Sequence, residues 1–135
     1  MEITSKWLEK YKFKVNDGRH SDLLLDVSPI YGGEDKGPSA LEMTIMALTT
    51  CLGTTFKMIA DKMNLKISDL QLNSTANKAE KDKTVTDIHI WINVKSTESK
   101  EKLHKCLELA EENCPVDTIF RLANIPVETK LKILK

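Results

Sequence analysis

At 135 residues, with twenty Lys and Arg balancing twenty Asp and Glu, the sequence is sized for one domain, residues 1–135, holding a genuine core. Zero net charge removes the electrostatic case for nucleic acid or an acidic membrane surface. Three cysteines is the wrong number for a disulfide-stapled secreted scaffold, and no apolar segment near Met1 reads as a secretory signal, so the expected compartment is the cytoplasm.

Lys6 to Val15 alternates, with Trp7, Tyr11, Phe13 and Val15 opposed to lysines, which predicts one half-buried strand. Asn16-Asp17-Gly18-Arg19 is a turn signal, and Ser21 to Val27 follows as the return strand of a hairpin. Pro29 to Lys36 reads as a loop. Next comes Gly37-Pro38-Ser39-Ala40-Leu41-Glu42, opening a helix that runs to Asn64. Pro38 suits a first turn, and Ser39 with Glu42 has capping-box spacing. No charge falls between Met43 and Phe56. Leu41, Ile45, Leu48, Leu52, Ile59 and Met63 form one helical face, and the other faces are small or adaptable, so the helix is expected to be buried on every side. It reads as shorter than the roughly twenty apolar residues of a membrane span. Cys51 sits in its middle.

Beyond it, Leu65, Ile67, Leu70 and Leu72 predict a third strand, polar Asn73 to Lys83 a connection, and Thr84 to Val94 a β-branched strand. A second helix opens near Thr97 and carries the stripe Leu103, Leu107, Ala110 and Cys114. Pro115 ends it and starts a short helix, Val116 to Leu122, with Cys114 at the N-cap. Ile125 to Leu134 closes the sheet. The order ββ-α-ββ-α-α-β with antiparallel hairpins is an α+β arrangement.

A thiol reacts as thiolate, which positive charge or a helix N-terminus favours. Cys114 has the second from its local sequence. Cys51 has neither, and Arg19 is the obvious candidate to supply charge from elsewhere. A lone mid-helix cysteine is more often a small buried hydrophobe, and Cys106 reads that way outright. His20, His89 and His104 stand too far apart for a zinc pair, Cys106 and Cys114 are too widely spaced, and no phosphate loop or nucleophile elbow is present.

Three stretches together resemble the OsmC/Ohr family of thiol-dependent peroxidases. These are Asp17-Gly18-Arg19-His20 with Leu25-Asp26-Val27, the Gly37–Glu42 segment leading to Cys51, and Asn113-Cys114-Pro115. The resemblance implies an intertwined homodimer of OsmC-like fold, its antiparallel sheets packed around a long central helix. It implies that Cys51 attacks a hydroperoxide and that Cys114 resolves the product as a disulfide. Reduction by an external dithiol, of dihydrolipoyl type in the best-known members, would follow, without metal or organic cofactor. Arg19 would stabilise the Cys51 thiolate. The family's arginine partner is a glutamate ten residues before the first cysteine; here Leu41 holds that place and Glu42 lies one residue nearer, about 100° around the helix. That departure motivates the rival expectation, a non-catalytic dimer of the same fold that binds a small apolar ligand beside structural cysteines.

Overall fold

The computed structural model describes residues Met1–Lys135, which divide into two units, Met1–Thr44 and Ile45–Lys135. In the first, β1 (Thr4–Glu9), β2 (Lys12–Asn16) and β3 (Leu23–Leu25) form an antiparallel sheet in that order. The expected hairpin across Asn16–Arg19 is present, but Lys6–Val15 is two strands rather than one. The chain reverses at Lys10, whose φ of 46° is left-handed and whose carbonyl accepts the Trp7 indole N–H at 2.8 Å. A lysine there carries no turn signature, so the alternation read straight through it.

A 3₁₀ turn, Pro29–Tyr31, interrupts the next loop. Asp26 organises this loop: it is 1% exposed, and its carboxylate accepts the backbone N–H groups of Val27, Glu34 and Lys36 at 2.8, 3.1 and 3.1 Å. Burial pushes its pKa up, but those bonds outweigh it and hold the carboxyl below its ordinary value. Glycine is required alongside: a Cβ on Gly33 would lie 1.9 Å from the Val27 carbonyl oxygen, and one on Gly37 would lie 2.1 Å from that of Leu24.

The long helix α1 (Ala40–Lys62) begins in the first unit and lies mostly in the second. Its start is the expected capping box. The Ser39 N–H donates to Glu42 Oε2 at 2.7 Å, and the Glu42 N–H donates to Ser39 Oγ at 3.2 Å. Pro38 therefore precedes the cap instead of occupying the first turn, and its carbonyl accepts the Asp26 N–H at 3.2 Å. At the other end Asn64 turns left-handed (φ 54°) and the Leu65 N–H reaches back to the Ala60 carbonyl at 2.9 Å, a Schellman closure.

Two expectations about α1 are corrected. At 23 residues it is long and apolar enough, by length and composition, to cross a membrane. Nor is it buried all round: Leu48, Leu52, Phe56 and Ala60 are buried on one face, whereas Met46 and Met58 are 51% and 56% exposed. The buried face belongs to the core of the second unit.

That core also takes the inward face of β5 (Asp87–Ser96), namely Ile88, Ile90, Ile92 and Val94, and the stripe Leu103, Cys106, Leu107 and Ala110 of α2 (Lys100–Asn113). β4 (Ile67–Asn77) pairs antiparallel with β5 and is longer than its apolar residues suggest. Asn73 to Asn77, expected as a connection, continues the strand with Ser74 and Ala76 half-buried between exposed polar neighbours. Ser74 Oγ satisfies itself on Thr49 Oγ1 of α1 at 2.7 Å. The last strand, β6 (Val127–Leu134), pairs parallel to β5, so this sheet is mixed, in the order β4-β5-β6. Parallel pairing demands a crossover, and the crossover is α2 with α3 (Pro115–Leu122).

Candidate active site

The crossover has to bend, and the bend carries a thiol. Proline cannot continue α2, because its nitrogen has no hydrogen to donate, yet it suits the first position of a new helix. Cys114 is left between the two helices in extended conformation (φ −79°, ψ 111°), as the N-cap of α3. Its Sγ accepts the Asp117 N–H at 3.5 Å, and the side chain is fully buried. The sequence reading of Cys114 as an N-cap thiol is what the structure contains.

Cys51 lies midway along α1, half-buried, and its thiol is close enough to that of Cys114 to act on its ionisation. The two cysteines, sixty-three positions apart in sequence, are both free thiols. Burial pushes the Cys114 pKa above its ordinary value, and the neighbouring Cys51 thiol pushes the same way. The Asp117 and Val116 N–H groups oppose this without overcoming it.

Cys51 opens onto a cavity of about 730 Å³. Met58, Ile59, Leu109 and Pro115 give it apolar walls, Thr54, Thr55 and Asn113 add polar atoms, and Lys62 is its one cationic side chain. Such a mixture suits a mostly apolar ligand with a small polar portion.

The other two expected site residues are bound within the first unit. The Arg19 guanidinium sits 3.1 Å from Asp17 Oδ2 in the β2–β3 loop, with its side chain 77% exposed. Asp17 also accepts the Arg19 and His20 N–H groups and contacts the His20 ring, which brings its pKa down to about 2, the His20 side chain contributing most. Glu42 is engaged in the capping box, where the Ser39 N–H holds its carboxyl below its ordinary value. Leu41 is half-buried beside it. Cys106, fully buried, donates its S–H to the Phe56 carbonyl at 3.4 Å, and burial pushes its pKa up to about 11.

Two neighbours of the thiol pair were missed from the sequence. Asp117, 5% exposed, forms an ion pair with Arg121 Nε at 3.0 Å, and Arg121 Nη2 donates to the Glu111 carbonyl at 2.7 Å. The signal was present: an Asp and an Arg four apart on a short helix, the Arg one of only two in a chain otherwise supplied with lysine.

The structure is similar to several solved ones. An OsmC-like protein from Mycoplasma pneumoniae matches with a TM-score of 0.88 and 16% identity, covering 99% of this chain and 96% of that one. The organic hydroperoxide resistance protein OsmC from Legionella pneumophila matches at 0.69 and 15% identity, over 99% and 96%. The organic hydroperoxide resistance protein OhrB of Bacillus subtilis matches at 0.64 and 21% identity, over 97% and 96%. At such identities the likeness concerns the fold. No curated protein sequence matches the chain. The model of the OsmC family, described as OsmC-like protein, matches residues 33–130, from the loop before α1 into β6, and the chain belongs to that family.

Proposed function

We propose that the protein is a thiol-dependent peroxidase that reduces organic hydroperoxides through Cys51 and Cys114. The observation that carries this reading is the neighbouring thiol pair at the wall of an apolar cavity, Cys51 half-buried and lining it and Cys114 buried behind. Names among the similar structures point the same way, since two of the three described above are organic hydroperoxide resistance proteins.

In the proposed cycle the Cys51 thiolate attacks the terminal peroxide oxygen. The O–O bond breaks, the alcohol leaves after taking up a proton, and Cys51 becomes a sulfenic acid. The Cys114 thiolate then attacks the Cys51 sulfur, the S–O bond breaks, and the hydroxide leaves as water. An external dithiol, of lipoyl type by family resemblance, returns both cysteines to thiols and is itself oxidised to a disulfide. No metal or organic cofactor enters these steps. The organic part of the substrate would leave water for the cavity bounded by Met58, Ile59 and Leu109. The family resemblance would give Arg19 the stabilisation of the Cys51 thiolate, a role that requires it to leave Asp17, and Glu42 the supporting role of holding the start of α1. The working form is proposed to be a homodimer, which would cover the exposed Met46 of α1.

The deciding experiment counts thiols in the reduced protein before and after one equivalent of cumene hydroperoxide, with peptide mapping. Rapid loss of two thiols mapped to a Cys51–Cys114 disulfide is the expected result. Three unchanged thiols would reject the peroxidase and favour the rival, a cavity that holds an apolar ligand without turnover.

A further inference from the structure

We infer that Arg121 is a positioning residue for the resolving step: bound at once to Asp117 and to the Glu111 carbonyl, it fixes the α2–α3 elbow with Cys114 facing Cys51. The inference rests on the peroxidase reading of the cysteine pair and deepens it.

The elbow leaves a particular group without a partner. In a continuous helix the Glu111 carbonyl would accept the N–H four residues on, but that residue is Pro115, which has none. Arg121 Nη2 supplies the missing donor at 2.7 Å. The same guanidinium holds the Asp117 carboxylate through Nε at 3.0 Å, and that carboxylate is buried, so it needs an opposite charge. Asp117 is also the residue whose N–H donates to Cys114 Sγ. One side chain therefore ties the last turn of α2 to the residue that holds the thiol. The Glu111 side chain in turn accepts the Thr129 hydroxyl, which anchors the elbow to β6. Serving two acceptors in different directions from one rigid head is a task for a guanidinium fork and not for an ammonium. In a chain whose basic residues are almost all lysine, this is where an arginine stands.

The step that depends on this geometry is the second one. For the Cys114 sulfur to displace hydroxide from oxidised Cys51 it must approach in line with the S–O bond, and a displacement of about 1 Å can cost on the order of a hundredfold in rate. The first step, attack of Cys51 on peroxide, does not need Cys114 in line; Asn113 and Pro115 of the elbow meet it only as part of the cavity wall.

The test uses the full chain, reduced, as Arg121→Ala and Arg121→Lys, with the double variant Asp117→Asn/Arg121→Ala removing the stranded buried charge in case the single one does not fold. With one equivalent of cumene hydroperoxide, Cys51 should oxidise at the wild-type rate in each. Disulfide formation should slow about tenfold in Arg121→Ala and in the double variant, with Cys51 sulfinic acid accumulating under excess peroxide, and Arg121→Lys should fall between. A parallel series uses diamide, which accepts the two thiol hydrogens and forms the same disulfide without peroxide. There too Arg121→Ala should be slower by a similar factor. Wild-type protein that reacts with diamide but not with peroxide would reject the peroxidase, and the diamide rates would still judge the elbow. Wild-type disulfide rates in folded Arg121→Ala or the double variant would overturn the inference. So would an equal slowing of the first oxidation, which marks a structural role.

Discussion

Three cysteines in this chain occupy three environments, and each predicts a different response to mutation. Cys51→Ser should abolish peroxide turnover. Cys114→Ser should permit one oxidation and stop at Cys51 sulfenic or higher acid, as read by mass spectrometry after a single equivalent of peroxide. Cys106→Ala should leave turnover nearly unchanged, because its thiol is spent on the Phe56 carbonyl inside the core. Its effect should appear in stability at high pH. The folded-state pKa of Cys106 is raised from 9.0 to about 11, so its contribution is fully present below about pH 9 and is lost as pH rises toward 11. Denaturant titrations at pH 8 and pH 10.5 should therefore show a smaller alkaline loss in Cys106→Ala than in the wild type. The N-cap position of Cys114 was legible from Asn-Cys-Pro alone, since the proline fixes where one helix stops and the next begins. The meeting of Cys51 with Cys114 was legible only through the family resemblance and not from the residues themselves, because it depends on how α1 packs against a crossover. Arg121 escaped notice for a related reason: its partner is a backbone carbonyl orphaned by Pro115, a demand visible only after the elbow is placed.

The elements follow their local chemistry where that chemistry is strong. Ser39→Ala removes the hydroxyl that caps α1 and should lower stability by about 1 kcal/mol, measured by denaturant unfolding at neutral pH. The reciprocal bond from Ser39 to Glu42 adds a pH dependence. Because the Glu42 pKa is lowered from 4.5, its contribution is present above that value and fades as pH falls through the depressed one. Elements were misjudged where signals were weak or conflicting. Lys10 turns the chain without glycine, asparagine or proline, so β1 and β2 read as one strand. The second half of β4 presents Ser74 and Ala76 inward in place of large apolar residues, so its period of two was hidden. β6 alternates as a strand should, but alternation carries no direction, and only the length of the intervening crossover hints at parallel pairing.

At the scale of the whole molecule, the family assignment and the exposed apolar residues bear on assembly. Trp7 at 59%, Tyr11 at 55% and Leu23 at 52% stand open on the first unit, as Met46 does at 51% on α1. Scattered apolar side chains are ordinary on a protein surface; the proposed homodimer predicts that these are covered. Sedimentation of the purified chain should give twice the monomer mass, and Met46→Glu, placing a charge on an apolar helix surface, should shift the mass toward monomer. A wild-type chain that sediments as a monomer at micromolar concentration would count against the dimer without touching the thiol chemistry.

The parallel pairing of β6 also sets an order of events. The β4–β5 ladder joins strands separated by a short connection, whereas the β5–β6 pairing closes a longer loop that contains α2 and α3. Its contacts are therefore expected to form later and open earlier than those of β4–β5. Native-state hydrogen exchange should find the β6 amides releasing together with those of the α2–α3 elbow, at lower protection than the centre of β4–β5. During synthesis, Cys51 would wait for its partner until the bend that carries Cys114 had been made and packed, leaving a long interval in which the nascent chain holds an unpaired thiol.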